Sequence, residues 1–405
     1  MVKVRIKRLD HQMRGIGTIE NKIVFVPKTL PEELVDINIV LEKKKFSEGA
    51  LTKMLEKSSA RKEPICPYFF ECGGCQLLHV DYETSLNLKQ EKVNDIINKN
   101  FQQKFEIKNI VSSDENLFYR NKITLQVNGT IGYFKEKTNS IIQVDCCYIC
   151  DPKINFILNV IKDNMNINNV IQIIIRSSKN TGESMIIFKT SGPFDANKII
   201  SLLKDYVTSI YVDDTLVFGA EKITEILLGY KFYISPQSFF QVNTLQAEKL
   251  YQIALNYADM TKEDIVLDLY CGTGTIGLLA SQNAEKVIGI ELNKEAIRDA
   301  NKNKELNRVT NINFYAGDVG KILNKSQYKP TIVIVDPPRA GLDSLAIEEI
   351  IKIMPETLVY VSCDLMTLVR DLNILSKYFN ICELTPVDMF PQTSHVESVV
   401  LLKKK

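Results

Sequence analysis

An α/β fold with a mainly parallel sheet, preceded by a mixed α+β region and a small β-barrel, is predicted from the 405 residues of this chain. Three observations lead there. From about Ser235 strand-like apolar runs alternate with helical patterns, which implies a parallel sheet covered on both faces. The first 57 residues are short β segments separated by turn signals. The stretch between them mixes one long amphipathic pattern with further β runs and contains neither a repeat nor a low-complexity tract. With 45% hydrophobic residues and ~150 residues per domain, two or three domains are expected. The boundaries fall at 1–57, 58–234 and 235–405.

In the first segment, β strands are expected at 2–9, 15–20, 22–27, 34–42 and 50–55, with Gly15-Ile16-Gly17 and the residues 30–33 as turns. Five short strands leave open edges unless they wrap, so a barrel is the natural closure. The middle segment carries a helix at 82–98 and strands at 122–127, 131–134, 171–176, 183–189 and 209–212. In the last segment strands are expected at 265–269, 286–291, 311–315, 331–335, 358–361, 381–386 and 397–402.

Composition narrows the class of protein. No run of 18 apolar residues occurs, and the charged start lacks a following apolar stretch, so a soluble, cytoplasmic protein with no membrane span is expected. Nine cysteines in a reducing compartment point to metal binding or catalysis rather than disulfides. Net charge is only +1, yet residues 1–64 hold 14 Lys or Arg against 9 Asp or Glu, leaving +5 there and −4 in the remainder. Polyanion contacts are therefore expected near the N-terminus, although a run such as Lys43-Lys44-Lys45 is by itself an ordinary solvated strand end.

Chemistry concentrates in three places. Cys66, Cys72 and Cys75 form a C-x5-C-x2-C cluster, and Cys146, Cys147 and Cys150 offer a distant fourth thiolate. Such a set suits an iron-sulfur cluster or zinc, and spacing alone does not choose. A glycine loop, Tyr270-Cys271-Gly272-Thr273-Gly274-Thr275-Ile276-Gly277, follows the strand ending at Leu269; Glu291 ends the next strand, where it can accept bonds from ribose hydroxyls. G-x-G-x-x-G also matches a dinucleotide site, but Asp268 before the loop and Asp336-Pro337-Pro338-Arg339 after a later strand favour a methyl-donor nucleotide site.

Asp268, Glu291, Asp336 and Cys363 all fall at the carboxyl edge of the sheet, where open α/β sheets bind ligands. A thiolate at that edge can add to carbon 6 of uracil and make carbon 5 nucleophilic, so Cys363 is the candidate nucleophile. Glu397 is the candidate base that removes the proton from carbon 5. Without context the one would be core and the other an ordinary acid.

Taken together these motifs resemble the RNA 5-methyluridine methyltransferase family, in the branch with a TRAM domain and a [4Fe-4S] cluster. The resemblance runs end to end through Cys66–Leu77, Tyr119-Arg120-Asn121-Lys122, residues 235–243, the Tyr270 loop, Asp336-Pro337-Pro338-Arg339-Ala340-Gly341, Ser362-Cys363-Asp364 and His395-Val396-Glu397. It implies a class I, Rossmann-like methyltransferase domain, a mixed α+β central domain and an N-terminal OB-like TRAM barrel. S-adenosylmethionine would be held by Gln241, Tyr270, Glu291, Asp318 and Asp336. Cys363 and Glu397 would be catalytic, and Cys66, Cys72, Cys75 and Cys147 would hold the cluster. The implied partner is RNA, 23S ribosomal RNA first and transfer RNA second, bound by a monomer. One departure is Asp364, where the family often has Asn. Two rivals, a radical S-adenosylmethionine enzyme and a non-catalytic ribosome-assembly factor, fit less well. The first would leave one iron open within C-x3-C-x2-C spacing, and the second has no use for an intact Cys363 and Glu397.

Overall fold

The computed structural model describes residues 1–102, 104–164, 168–325 and 329–405. Strands near the N-terminus form a six-stranded sheet in the order Val2–Arg5, Leu34–Glu42, Phe46–Glu56, Lys22–Val26, Gly15–Ile19, Arg8–Leu9. The segment 2–9, expected to be one strand, breaks at Ile6-Lys7. Its two halves pair with opposite ends of the sheet, the first with residues 34–37 and the second with 15–16, and this closes the barrel. Closure brings the backbones so near that a Cβ on Gly17 would lie 2.8 Å from the Arg5 carbonyl oxygen. Alternate residues Val4, Ile6, Val24, Val26, Val35 and Ile37 fill the interior.

Buried polar contacts pin the barrel to the cysteine-bearing region. Arg61 forms a buried ion pair with Glu33 and donates to the Lys28 carbonyl at 2.9 Å. Lys28 Nζ in turn donates to the carbonyls of Phe70 and Cys72 at 3.2 and 3.1 Å, inside the cysteine loop, and pairs with Glu136 at 3.0 Å.

The central region is built on a seven-stranded sheet, in the order Ile141–Gln143, Ile131–Phe134, Lys122–Val127, Val170–Ser177, Ser184–Thr190, Ser209–Val212, Thr215–Gly219. Helices Pro152–Asn164 and Ala196–Leu203 bury Ile154, Ile157, Leu158, Ile161, Ile199 and Leu203 in its core. A hairpin, Ile223–Leu227 with Tyr230–Ile234, leads to the 235–243 segment.

The last sheet has eight strands, in the order Ile312–Ala316, Lys286–Glu291, Ile265–Leu269, Ile332–Val335, Thr357–Ser362, Glu397–Lys404, Phe379–Val387, Glu106–Ile107. Its first five are parallel and the strand Glu397–Lys404 is antiparallel to both neighbours. Successive residues alternate between two cores. Val266, Ile332, Ile334, Val359 and Val361 face one; Leu267, Leu269, Val333, Val335, Leu358 and Tyr360 face the other. Both faces are thus covered, as the near-continuous apolar strands require.

The long helix Tyr82–Asn100 starts at an Asp81 cap whose side chain accepts from Thr84 N. Its buried face is Ser85, Lys89, Val93 and Ile97, one residue every four. Val93 and Ile97 join the core beneath Leu365, Leu368 and Leu372. So part of the segment 58–234 packs with the C-terminal sheet, and Glu106–Ile107 extends that sheet's edge. Among the described residues no helix is long and apolar enough to cross a membrane.

Candidate active site

The central strand Ile265–Leu269 pairs with Lys286–Glu291 on one side and Ile332–Val335 on the other, so the strand order reverses beside it. That switch point is where an open sheet leaves a crevice. A cavity of about 500 Å³ occupies it, lined by Gln241, Tyr251, Asp268, Tyr270, Gly272, Glu291, Asp336, Arg339, Cys363, His395 and Glu397, among others.

Sharp backbone turning makes the floor. Tyr270, Gly272 and Gly274 all have positive φ, at 63°, 53° and 80°. A Cβ on Gly274 would fall 2.5 Å from the Phe314 ring, so glycine is required there for space as well as for conformation. Gly277 N donates to Asp268 Oδ2 at 2.8 Å, which ties the loop to its strand. Asp268 Oδ1 is buried without a hydrogen-bond partner. Burial pushes this carboxyl up to about 8. Glu291 is held by both oxygens, accepting from Gly272 N at 3.2 Å and Asn293 N at 2.8 Å.

Cys363 follows the strand Thr357–Ser362 and is half-buried. Asp364 is the N-cap of the helix Leu365–Leu375, accepting from Met366 N and Thr367 N. Asn and Asp serve equally in that position, so the departure at Asp364 preserves the cap. Burial first, then the charges of Glu397 and Asp336, push the Cys363 thiol up to about 12, while Arg339 opposes them. The adjoining helix N-terminus favours the thiolate once it forms. Glu397, at the start of the last strand, is 4% exposed. Burial, then Asp336, raises it to about 8. Asp336 is raised to about 7 by burial.

Six of the seven residues expected for donor binding or catalysis therefore share one cavity: Gln241, Tyr270, Glu291, Asp336, Cys363 and Glu397. Asp318 is not among the lining residues; it accepts from Lys321 N at the start of the helix Val319–Lys325 and bears on the Tyr270 hydroxyl electrostatically. Residues without an assigned role from sequence also line the cavity. Arg339 and His395 lay within motifs that sequence singled out. Tyr251 carried no signal, being a buried residue in the helix Thr244–Ala258, yet it lines the cavity together with Gln241, Asp336 and Glu397.

A second cavity, of about 580 Å³, is lined by Cys66, Cys72, Cys75, Cys146, Cys147 and Cys150. It shares Phe239, Gln241, Arg339, Phe390 and His395 with the first, so the two adjoin. Burial raises Cys66 to about 11 and raises Cys72 and Cys75. Cys147 is lowered to about 6 by a hydrogen bond from Cys150. The four expected ligands, Cys66, Cys72, Cys75 and Cys147, share one wall of this cavity. Among the described residues no three His, Cys, Asp or Glu side chains are grouped so as to hold a metal ion.

The crevice at the switch point, the glycine loop and the acid after the second strand define an S-adenosylmethionine-dependent methyltransferase fold, here with a TRAM domain matched at residues 1–52. Residues 196–405 match the model for tRNA (uracil-5-)-methyltransferase, and the chain belongs to that family. An uncharacterized RNA methyltransferase of Clostridium acetobutylicum is 37% identical over 99% of this chain and 96% of its own length. One from Staphylococcus epidermidis is 34% identical over 98% and 96%. Among solved structures, the Pyrococcus abyssi tRNA (uracil-54, C5)-methyltransferase in complex with S-adenosyl-L-homocysteine aligns with a TM-score of 0.82 at 28% identity, covering 99% of both chains. Family membership makes this chain an S-adenosylmethionine-dependent RNA uracil-C5 methyltransferase.

Proposed function

We propose that the chain methylates carbon 5 of a uridine in 23S ribosomal RNA through a covalent intermediate on Cys363. The observation that carries the mechanism is the shared cavity of Cys363, Glu397 and the expected donor residues. The Cys363 thiolate forms a bond to carbon 6, and the electron pair moves to carbon 5. S-adenosylmethionine supplies an electrophilic methyl group on a sulfonium. Carbon 5 takes that methyl, and the donor leaves as S-adenosylhomocysteine. Glu397 then takes the proton from carbon 5, the pair returns to the ring, and the thiolate is expelled. The net change is uridine plus donor to 5-methyluridine, S-adenosylhomocysteine and a proton. Gln241, Tyr270, Glu291 and Asp336 hold the donor, with Asp318 approaching it through Tyr270.

A cavity so rich in carboxylates favours a cation. Asp268 and Glu397 near 8 and Asp336 near 7 become charged as pH rises, so affinity for the cationic sulfonium should increase between pH 6 and 9. Affinity for S-adenosylhomocysteine, whose sulfur is neutral, should increase less. Calorimetric titration of both ligands across that range checks the sign; parallel curves would show that the acids do not sense the sulfonium.

Cys66, Cys72, Cys75 and Cys147 would hold a [4Fe-4S] cluster, the soft donors such a group requires. Their common wall, beside the active-site cavity, supports a group bound by these thiolates. Protein purified without air is expected to be brown with about four irons per chain, and colourless protein carrying zinc would contradict it.

The barrel and its basic balance support an RNA partner of substantial size. Transfer RNA is the second substrate reading, favoured by the likeness to the Pyrococcus abyssi enzyme over the whole chain. Incubating the monomeric protein with purified 23S and transfer RNA and labelled donor, then mapping the modified base, decides between them. Methylation of transfer RNA alone would overturn the first.

A further inference from the structure

Lys89 is out of place. It occupies the buried face of the helix Tyr82–Asn100 between Ser85 and Val93, and both it and Asp388 are 0% exposed. Its ammonium donates to Asp388 Oδ1 at 2.5 Å and to the Phe390 carbonyl at 3.1 Å. The other oxygen, Asp388 Oδ2, accepts from the Tyr82 hydroxyl at 2.9 Å, and that hydroxyl accepts from Ser113 N at 2.7 Å. Every partner lies within one closed network. A buried ion pair of this kind costs desolvation that its attraction barely repays, and an apolar pair of equal volume is often at least as stable. Stability alone is therefore a weak reason for it.

The network's address suggests another. Asp388 begins the segment that runs from the strand Phe379–Val387 to the strand Glu397–Lys404, and so to Glu397 itself. Phe390 and His395 of that segment wall both cavities. The rest of it is held almost atom by atom. Gln76 N and Leu77 N donate to the Gln392 carbonyl at 2.9 and 3.0 Å. Ser394 N donates to Gln76 Oε1 at 3.0 Å, Lys92 to the Ser394 carbonyl at 2.7 Å, and Tyr119 to the Pro391 carbonyl at 3.0 Å. Asn243 Nδ2 donates to the Met389 carbonyl at 3.1 Å. Among the described residues, the Lys89 and Asp388 anchor is the one of these contacts with charge on both sides.

We propose that Lys89 and Asp388 are positioning residues for the uracil-binding wall: their pair holds residues 388–396 so that Phe390 and His395 seat the base over Cys363. This rests on the assignment of Cys363 as nucleophile. A misplacement of about 1 Å at a reacting centre can cost about a hundredfold in rate, so loosening the anchor slows base capture and leaves the glycine loop intact.

The test replaces the pair by apolar residues, Lys89→Met with Asp388→Leu, in the full-length protein, and measures covalent trapping of 5-fluorouridine RNA, donor affinity and melting temperature. Expected are donor affinity within about twofold of the parent, a preserved melting temperature and trapping slowed at least about tenfold. Trapping at the parental rate in a folded double variant overturns the proposal. Should that variant fail to fold, Asp388→Asn removes the negative charge of the anchor and keeps the shape of the side chain. Slower trapping with unchanged donor affinity then supports the anchor, and an unchanged rate overturns it. If the parent protein itself traps no RNA, the nucleophile assignment has failed instead, and the anchor is judged by methylation rate in the same variants.

Discussion

Cys363→Ala is expected to abolish both methylation of RNA and covalent trapping of 5-fluorouridine RNA, while donor affinity stays within about twofold. Addition of sulfur to carbon 6 precedes every other step, and no other cysteine near the switch point replaces it. Cys271 also lines the cavity but is buried within the glycine loop, and burial raises its thiol well above the usual range. Trapping is read as a band of slower mobility on a denaturing gel. A methylating Cys363→Ala protein would remove covalent catalysis from the mechanism.

Glu397→Gln separates the second half of the reaction from the first. Addition and methyl transfer should proceed, but proton removal from carbon 5 should slow by roughly 10²–10⁴-fold, so an adduct carrying the new methyl group accumulates on natural RNA. Normal turnover by this protein would assign the base elsewhere. The same substitution has a stability signature. Folding raises the Glu397 carboxyl from 4.5 to about 8, so the folded state binds a proton that the unfolded state releases. The contribution of this group therefore favours folding fully below pH 4.5 and is lost as pH rises through about 8. Glu397→Gln should melt near the parent at pH 4.5 and higher than it at pH 9, by roughly 2–4 °C. A lower melting temperature at pH 9 would mean that the carboxylate is paired rather than merely buried.

The strands of the catalytic sheet were legible because buried parallel strands are short apolar runs. Ile332–Val335 and Thr357–Ser362 are buried throughout and stand out against their polar flanks. The edge rule then gathered Asp268, Glu291, Asp336 and Cys363, which do line one cavity. What sequence could not supply was pairing at long range. Nothing in residues 2–9 announces that their two halves bond to opposite ends of one sheet. A lysine at 89 reads as an ordinary polar position on an amphipathic helix until its partner 299 residues away is known. Nor does the cysteine spacing report how near the sulfurs stand.

That partner distance has a consequence for how the chain becomes a protein. The helix Tyr82–Asn100 lies against the helix Leu365–Leu375, and the last strand added to the catalytic sheet, Glu106–Ile107, comes from the first third of the chain. On the ribosome these segments emerge long before their partners exist, and contacts of such separation close slowly. Until Leu365–Leu375 has been made, the apolar stripe of Val93 and Ile97 lacks the helix it packs beneath. The nascent chain therefore carries that surface open while every residue between the two helices is made.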